Sequence, residues 1–337
     1  MRFLDMPRVR PGIRRGLPGP PDGARLLAMA RLWILALSLA ALVARGAEGR
    51  PNIVLILADD LGWSDLGCYG GEIRTPQLDA LAAGGIRMTQ FYNSARCCPS
   101  RASLLTGLYP HQAGVGYMTA DRGEAFPGYR GRLNERCVTL AQVLKLAGYR
   151  TAMSGKWHVG DDVSPVARGF DDFYGFPRGY GVDSFDARMM VRLPGGRPQR
   201  EYREGKFFAT DAITDHALDF LAGLRGGDGP WFLYIAYQAP HFPVQTLPED
   251  AEGYAEVYAA GWDAIREKRF ARQRAMGLMP DGVALTPRSR IPHPEAAKRI
   301  GSMTDDNINP PWASLGADRR ADIARRMAAF AGMVTGM

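Results

Sequence analysis

At 337 residues, 46% apolar and 23% charged, the chain has ordinary globular composition and enough length to bury a sizeable core, which excludes disordered, collagen-like and coiled-coil classes. The net charge of +7 is unevenly placed: residues 1–48 hold eight Arg against three acids, which leaves the remainder at only +2. That near-neutral remainder lacks the concentrated Lys and Arg of a nucleic-acid reader, and four Cys in so long a chain do not make a disulfide scaffold.

The first element in chain order is a run of twelve uncharged residues, 33–44, preceded by an Arg-rich stretch and followed by Ala44, Arg45, Gly46 and Ala47. This is the pattern of a secretory signal peptide, so residues 1–47 are expected to form an N-terminal extension and signal, and the protein to be periplasmic or secreted. Twelve residues fall short of the ~20 that span a bilayer as a helix, so no stable membrane anchor is expected. A buried core helix is the other reading of the same run. Met29 is a second candidate start, and Arg14-Arg15 a candidate twin-arginine signal.

Residues 52–58 form a continuous apolar run ending in Asp59-Asp60, the pattern of a strand buried on both faces of a largely parallel sheet. Thr75-Pro76 reads as an N-cap with Pro at the first helical position, and Gly84-Gly85 stops that helix. A strand over 86–92 then leads into Cys97-Cys98-Pro99-Ser100-Arg101, with helix expected over 102–106. Pro99 suits the first position of that helix, whose free N–H groups favour an anion. Residues 139–147 read as a helix and 150–153 as a short strand before Gly155, Lys156, Trp157 and His158. Residues 211–224 are an amphipathic helix, and 231–237 another apolar strand before Ala239, Pro240 and His241. Residues 247–311 lose this periodicity and read as an irregular insertion; 319–334 return as a helix. The alternation predicts one α/β domain from residue 48 to 337, an α/β/α sandwich around a largely parallel, mixed sheet.

The polar clusters share one property. Each follows a strand-like run or opens a helix, which places Asp59, Asp60, Cys97, Lys156, His158 and His241 on one edge of the sheet, where open α/β sheets bind ligands. Adjacent carboxylates at a strand end suit a hard divalent cation; a helix cap plus a surface acid is the alternative. Cys97 and Cys98 read alone are two inert thiols or an adjacent disulfide, and Cys68 and Cys137 are candidates to pair after export. His111, His216 and His293 are read as structural.

Cys97-Cys98-Pro99-Ser100-Arg101 resembles the C-x-P-S-R signature of the type I sulfatases, and Ala102 to Gly107 looks like its continuation. Residues 51–62, 155–158, 169–175 and 239–243 match further family motifs in the same order. The resemblance implies the alkaline-phosphatase-like fold and conversion of Cys97 to formylglycine by a maturation enzyme, with the hydrated aldehyde as nucleophile. It also implies one Ca²⁺ held by Asp59, Asp60 and the converted Cys97. Arg101 would hold the hydrate, Lys156 and His241 would meet the sulfate and leaving alcohol, and His158 would take the hydrate's second proton. The implied substrate is a sulfated small molecule or polysaccharide. A phosphonate monoester or phosphodiester hydrolase of the same superfamily and a non-catalytic binding protein are the rival expectations.

The family pattern also calls for a later Asp-Asn metal pair on a buried strand, then a Lys, and a smaller C-terminal domain. Asp306-Asn307 follows no apolar strand and is not assigned that role. The expectation is therefore of a C-terminally truncated catalytic domain.

Overall fold

A computed structural model describes residues 49–179, 183–196, 200–287 and 310–337. The signal-peptide reading, His293 and Asp306-Asn307 lie outside the described residues. The chain divides into two compact units, Met1–Pro51 and Asn52–Met337, and every element below belongs to the second.

Five strands, β1 (Ile53–Asp59), β2 (Arg150–Gly155), β3 (Asp172–Gly175), β4 (Val191–Leu193) and β5 (Trp231–Pro240), form one sheet in the order β1-β5-β2-β3-β4. All pairings are parallel except β3 with β4, so the sheet is mixed and largely parallel as expected. The interior strand β5 carries Trp231, Leu233 and Ile235 on one face and Phe232, Tyr234 and Ala236 on the other. Side chains alternate along a strand, so an unbroken apolar run supplies two cores.

On the first face lies helix α5 (Ala209–Arg225), whose Ala212, Ala217, Phe220 and Leu224 pack on Ala152, Tyr174 and Leu233. The opposite face is covered by α2 (Cys97–Thr106) and α4 (Leu140–Leu146) through Cys98, Ala102, Leu105 and Ala141. The arrangement is an α/β/α sandwich. Thr139, read from the sequence as the first residue of helix α4, is its cap: Gln142 N donates to Thr139 Oγ1 at 3.1 Å. The remaining helices are α1 (Pro76–Ala83), α3 (Pro110–Ala113), α6 (Pro248–Ala251), α7 (Tyr254–Tyr258), α8 (Gly261–Ala275) and α9 (Ala317–Gly336).

Four expectations are corrected. First, β1 is an edge strand among the described residues, and α5 does not reach it. Its outward Val54 and Ile56 are 48% and 53% exposed rather than buried on both faces. Second, residues 86–92 form no strand; Ile86, Met88, Phe91 and Tyr92 are exposed and make no ladder. Third, the region after residue 247 is not irregular throughout, because α6, α7 and α8 occupy it. Tyr254, Tyr258 and Ile265 join Trp312, Ala324 and Ala328 in a separate core. The apolar residues were too sparse along α8 to signal this, since its face is filled partly by Gln273 and Arg269. Fourth, α2 starts at Cys97, so Pro99 is its third residue rather than its first.

Gly155 closes β2 with φ +113°, and a Cβ there would lie 2.0 Å from the carbonyl oxygen of Ala236 in the adjacent strand. Both the left-handed backbone and the strand contact demand glycine. Gly155→Ala should therefore destabilise the domain by at least about 2 kcal/mol, read as a fall in the urea midpoint with an unchanged m-value.

Candidate active site

The carboxyl ends of β1, β2 and β5 and the first turn of α2 bring the polar clusters together, as their positions in the sequence predict. Asp59 ends β1, Lys156 and His158 follow β2, His241 follows β5, and Cys97 opens α2. Asp59, Arg101, Lys156, His158 and His241 are all buried, whereas Asp60 is 58% exposed. Asp60 (φ 65°) and His158 (φ 54°) both hold left-handed backbone that non-glycine residues avoid. Such conformations cost about 1–3 kcal/mol each and persist where surrounding structure enforces them.

Asp59 is the electrostatic centre. Lys156 Nζ donates to its Oδ2, and Arg101 Nη2 lies 3.4 Å from the same oxygen. Burial alone would raise its carboxyl pKa, but the Arg101 and Lys156 cations outweigh burial and hold it below the ordinary range. Arg101 Nη1 also donates to the Lys156 carbonyl at 2.7 Å and meets the Tyr234 hydroxyl at 3.5 Å. Asp60 is pushed up by burial and by repulsion from Asp59. His241 Nδ1 donates to the Phe242 carbonyl at 2.6 Å, which leaves Nε2 facing Asp60 Oδ2 at 3.6 Å. That tautomer follows because a carbonyl only accepts.

Cys97 and Cys98 are both free thiols with opposed properties. Cys97 is pulled down to about 3, chiefly because Cys98 donates a hydrogen bond to it, with His158 and Lys156 adding positive charge. Cys98, fully buried, is pushed up by that same hydrogen bond and by burial. The unconverted Cys97 is thus a thiolate at neutral pH. Its alkylation by iodoacetamide should be nearly flat between pH 6 and 8, where an ordinary thiol of pKa about 8.5 gains roughly 80-fold. A rate on Cys97 that climbs like an ordinary thiol would contradict this arrangement.

The candidate disulfide between Cys68 and Cys137 is not formed. Cys68 N is held by Asp79 at 2.6 Å, while Cys137 is buried under Arg168, whose Nη2 lies 3.3 Å from its sulfur. The structural reading of two histidines fits their surroundings. His216 is buried, stacks on Tyr174 with ring centroids 3.4 Å apart, and donates from Nδ1 to Ala212 O. His111 meets Tyr129 OH at 3.1 Å on the surface. Three participants had no signal in the sequence: Tyr234, one more aromatic in an apolar strand; Cys98, a variable position; and Gly179, where a Cβ would lie 2.2 Å from His158 Cγ. A cavity of about 480 Å³ lined by Trp63, Glu72, Tyr258, Trp262 and Phe330 shares no residue with this cluster, and its Arg269 is paired with Glu72 and Asp65.

Asp59 and Asp60 are hard oxygen donors whose mutual repulsion a divalent cation would relieve, so they suit Ca²⁺ in kind. Ca²⁺ takes six to eight oxygens, and among the described residues no third carboxylate or histidine completes a cluster with this pair.

The sandwich has the alkaline-phosphatase-like fold, with a buried, cation-rich edge at its strand ends. The sulfatase family model matches residues 51–318, and the chain belongs to the sulfatase family. It is 33% identical over 305 residues to an uncharacterized sulfatase of Schizosaccharomyces pombe, covering 85% of this chain and 52% of that protein. It is 32% identical over 317 residues to an arylsulfatase of Klebsiella aerogenes, covering 90% of this chain and 64% of that one. The crystal structure of Ps i-CgsB in complex with k-i-k-neocarrahexaose superposes with a TM-score of 0.52 at 30% identity, covering 68% of this chain and 54% of the other. The chain thus spans 52% and 64% of the two curated relatives it matches.

Proposed function

We propose that the protein hydrolyses a sulfate monoester to an alcohol and inorganic sulfate, using residue 97 as formylglycine. The observation that carries this reading is the placement of Cys97 at the first turn of α2, beside His158 and Lys156. Hydrated, the aldehyde supplies two geminal hydroxyls, one to attack sulfur and one whose later deprotonation expels sulfate. Asp59 and Asp60 would hold Ca²⁺, which when bound withdraws charge from a sulfate oxygen.

The chain's own residues then have distinct tasks. Lys156 offers a compact positive charge to the sulfate oxygens, desolvated and therefore strong. Arg101, the fifth residue of α2, anchored on the Lys156 carbonyl and Asp59, is a fixed guanidinium that orients the hydrate. His241, with Nδ1 committed to Phe242, presents Nε2 to the departing ester oxygen, where it would donate a proton. His158 takes the second hydroxyl proton, which breaks the carbon–oxygen bond to sulfate and restores the aldehyde.

Family membership supports a sulfate ester as substrate, and the neocarrahexaose held by Ps i-CgsB supports a carbohydrate one. The reading requires a formylglycine-generating enzyme, and export of the chain past the signal sequence at residues 1–47. No helix among the described residues is long and apolar enough to cross a membrane. The test is peptide mass across Cys97 from cells with that maturation enzyme, where conversion removes about 18 Da instead of adding oxygen. It is followed by turnover of an aryl sulfate against an aryl phosphodiester. An unconverted Cys97 beside a converted control sulfatase overturns the nucleophile; preference for the phosphodiester overturns the substrate class.

A further inference from the structure

Two sulfur side chains at this site have no task in that reaction. Cys98 Sγ is fully buried and points at Met118 Sδ, 3.9 Å away. The sulfurs of Cys97 and Cys98 and a ring nitrogen of His158 lie within 4.8 Å of one another. His158 is 1% exposed, and its Nδ1 is buried without a hydrogen-bond partner. Two thiols, a thioether and an imidazole therefore converge from the start of α2, the segment after α3 and the turn after β2. We propose that the unconverted protein binds one copper(I) ion through Cys97, Cys98, His158 and Met118.

Ligand softness selects this ion. Thiolate and thioether donors favour Cu(I), whereas Ca²⁺ favours the carboxylates of Asp59 and Asp60. Metal–sulfur bonds of about 2.3 Å put donors on one ion roughly 3.7–4 Å apart, so Cys97, Cys98 and His158 close on an ion by about 1 Å, and the Cys98–Met118 pair is already at that spacing. Charge selects the oxidation state. Lys156 faces both cysteines and Arg101 faces Cys98, so the pocket is positive. A monovalent ion on two thiolates leaves one net negative charge for those cations to offset, while a divalent ion leaves none. On binding, Cys97 is already a thiolate, the Cys98 proton goes to solvent and copper stays Cu(I), so no oxidant is required. Cys97 is only partly buried, which gives the ion a way in. An ion seated there ties up the sulfur that maturation must oxidise.

The test uses the full chain made without the maturation enzyme, with Cys97 verified as a thiol by mass, and titrated anaerobically with Cu(I) buffered by bathocuproine disulfonate. One Cu(I) per chain is expected, with sulfur-rich coordination and one imidazole by X-ray absorption, and protection of Cys97 from iodoacetamide. Cys98→Ala should weaken binding at least tenfold and Met118→Leu severalfold, while Cys68→Ser leaves it unchanged and excess Ca²⁺ does not displace the ion. Met118→Leu keeps the core volume and serves if Cys98→Ala fails to fold. Binding that follows Cys68, survives Cys98→Ala undiminished, or is stronger for Zn²⁺ than for Cu(I) overturns the proposal. These outcomes concern the thiol form alone, so they are read separately from sulfate ester turnover.

Discussion

Cys97→Ala should abolish aryl sulfate turnover, lowering kcat by at least about 1,000-fold, while Cys98→Ala should leave it within about tenfold. Removing a covalent nucleophile deletes the bond-forming atom itself, so little remains beyond what the fixed charges of Arg101 and Lys156 contribute by binding. Cys98 faces the core, packed with Ala102 and Leu105, and meets only the sulfur of Met118 and residue 97 through its own sulfur. Losing its sulfur leaves a small cavity and one lost contact, which affects stability more than chemistry. The comparison is made on protein with measurable turnover, with kcat read for both variants. If Cys98→Ala were the silent enzyme and Cys97→Ala the active one, the nucleophile would be the wrong residue.

Asp59→Ala should cost about 3–5 kcal/mol of stability, because it strands Lys156 and Arg101, each 1% exposed, with no carboxylate between them. The double variant Asp59→Ala with Lys156→Met should recover part of that loss, since removing both members of a buried pair is far milder than removing one. Urea denaturation of the three proteins measures this, and a single-variant loss below about 1 kcal/mol would show that the pair is not buried in solution. The same carboxylate sets a pH dependence. Its pKa is lowered in the folded protein, so its contribution is present above the ordinary carboxylate range and disappears as pH falls through and below it. Acid should therefore narrow the gap between Asp59→Ala and the parent.

The relation between sequence and structure is clearest at particular elements. Residues 231–237 were legible as a strand because β5 is covered on both faces, so its apolar run was a sufficient signal. The run in β1 is just as continuously apolar, yet α5 stops short of it and one face lies open. Strands β3 and β4 are three or four residues long, too short for periodicity to show, and α8 was hidden because Arg269 and Gln273 do on it what apolar residues do elsewhere.

The chemistry on offer can be read from the chain alone: which polar residues end each apolar run, that Gly155 precedes Lys156 and His158, and that Cys97 sits beside Pro99 and Arg101. Those are properties of neighbours in the chain, where spacing and residue type carry the information. Who faces whom is set by the folded arrangement: Asp59 answers both Arg101 and Lys156, His241 turns Nε2 to Asp60, and Cys98 meets Met118. Partners that far apart in the chain are brought together by the order of strands in a sheet and by the helix that covers each face. Both depend on long-range packing, which no local pattern encodes.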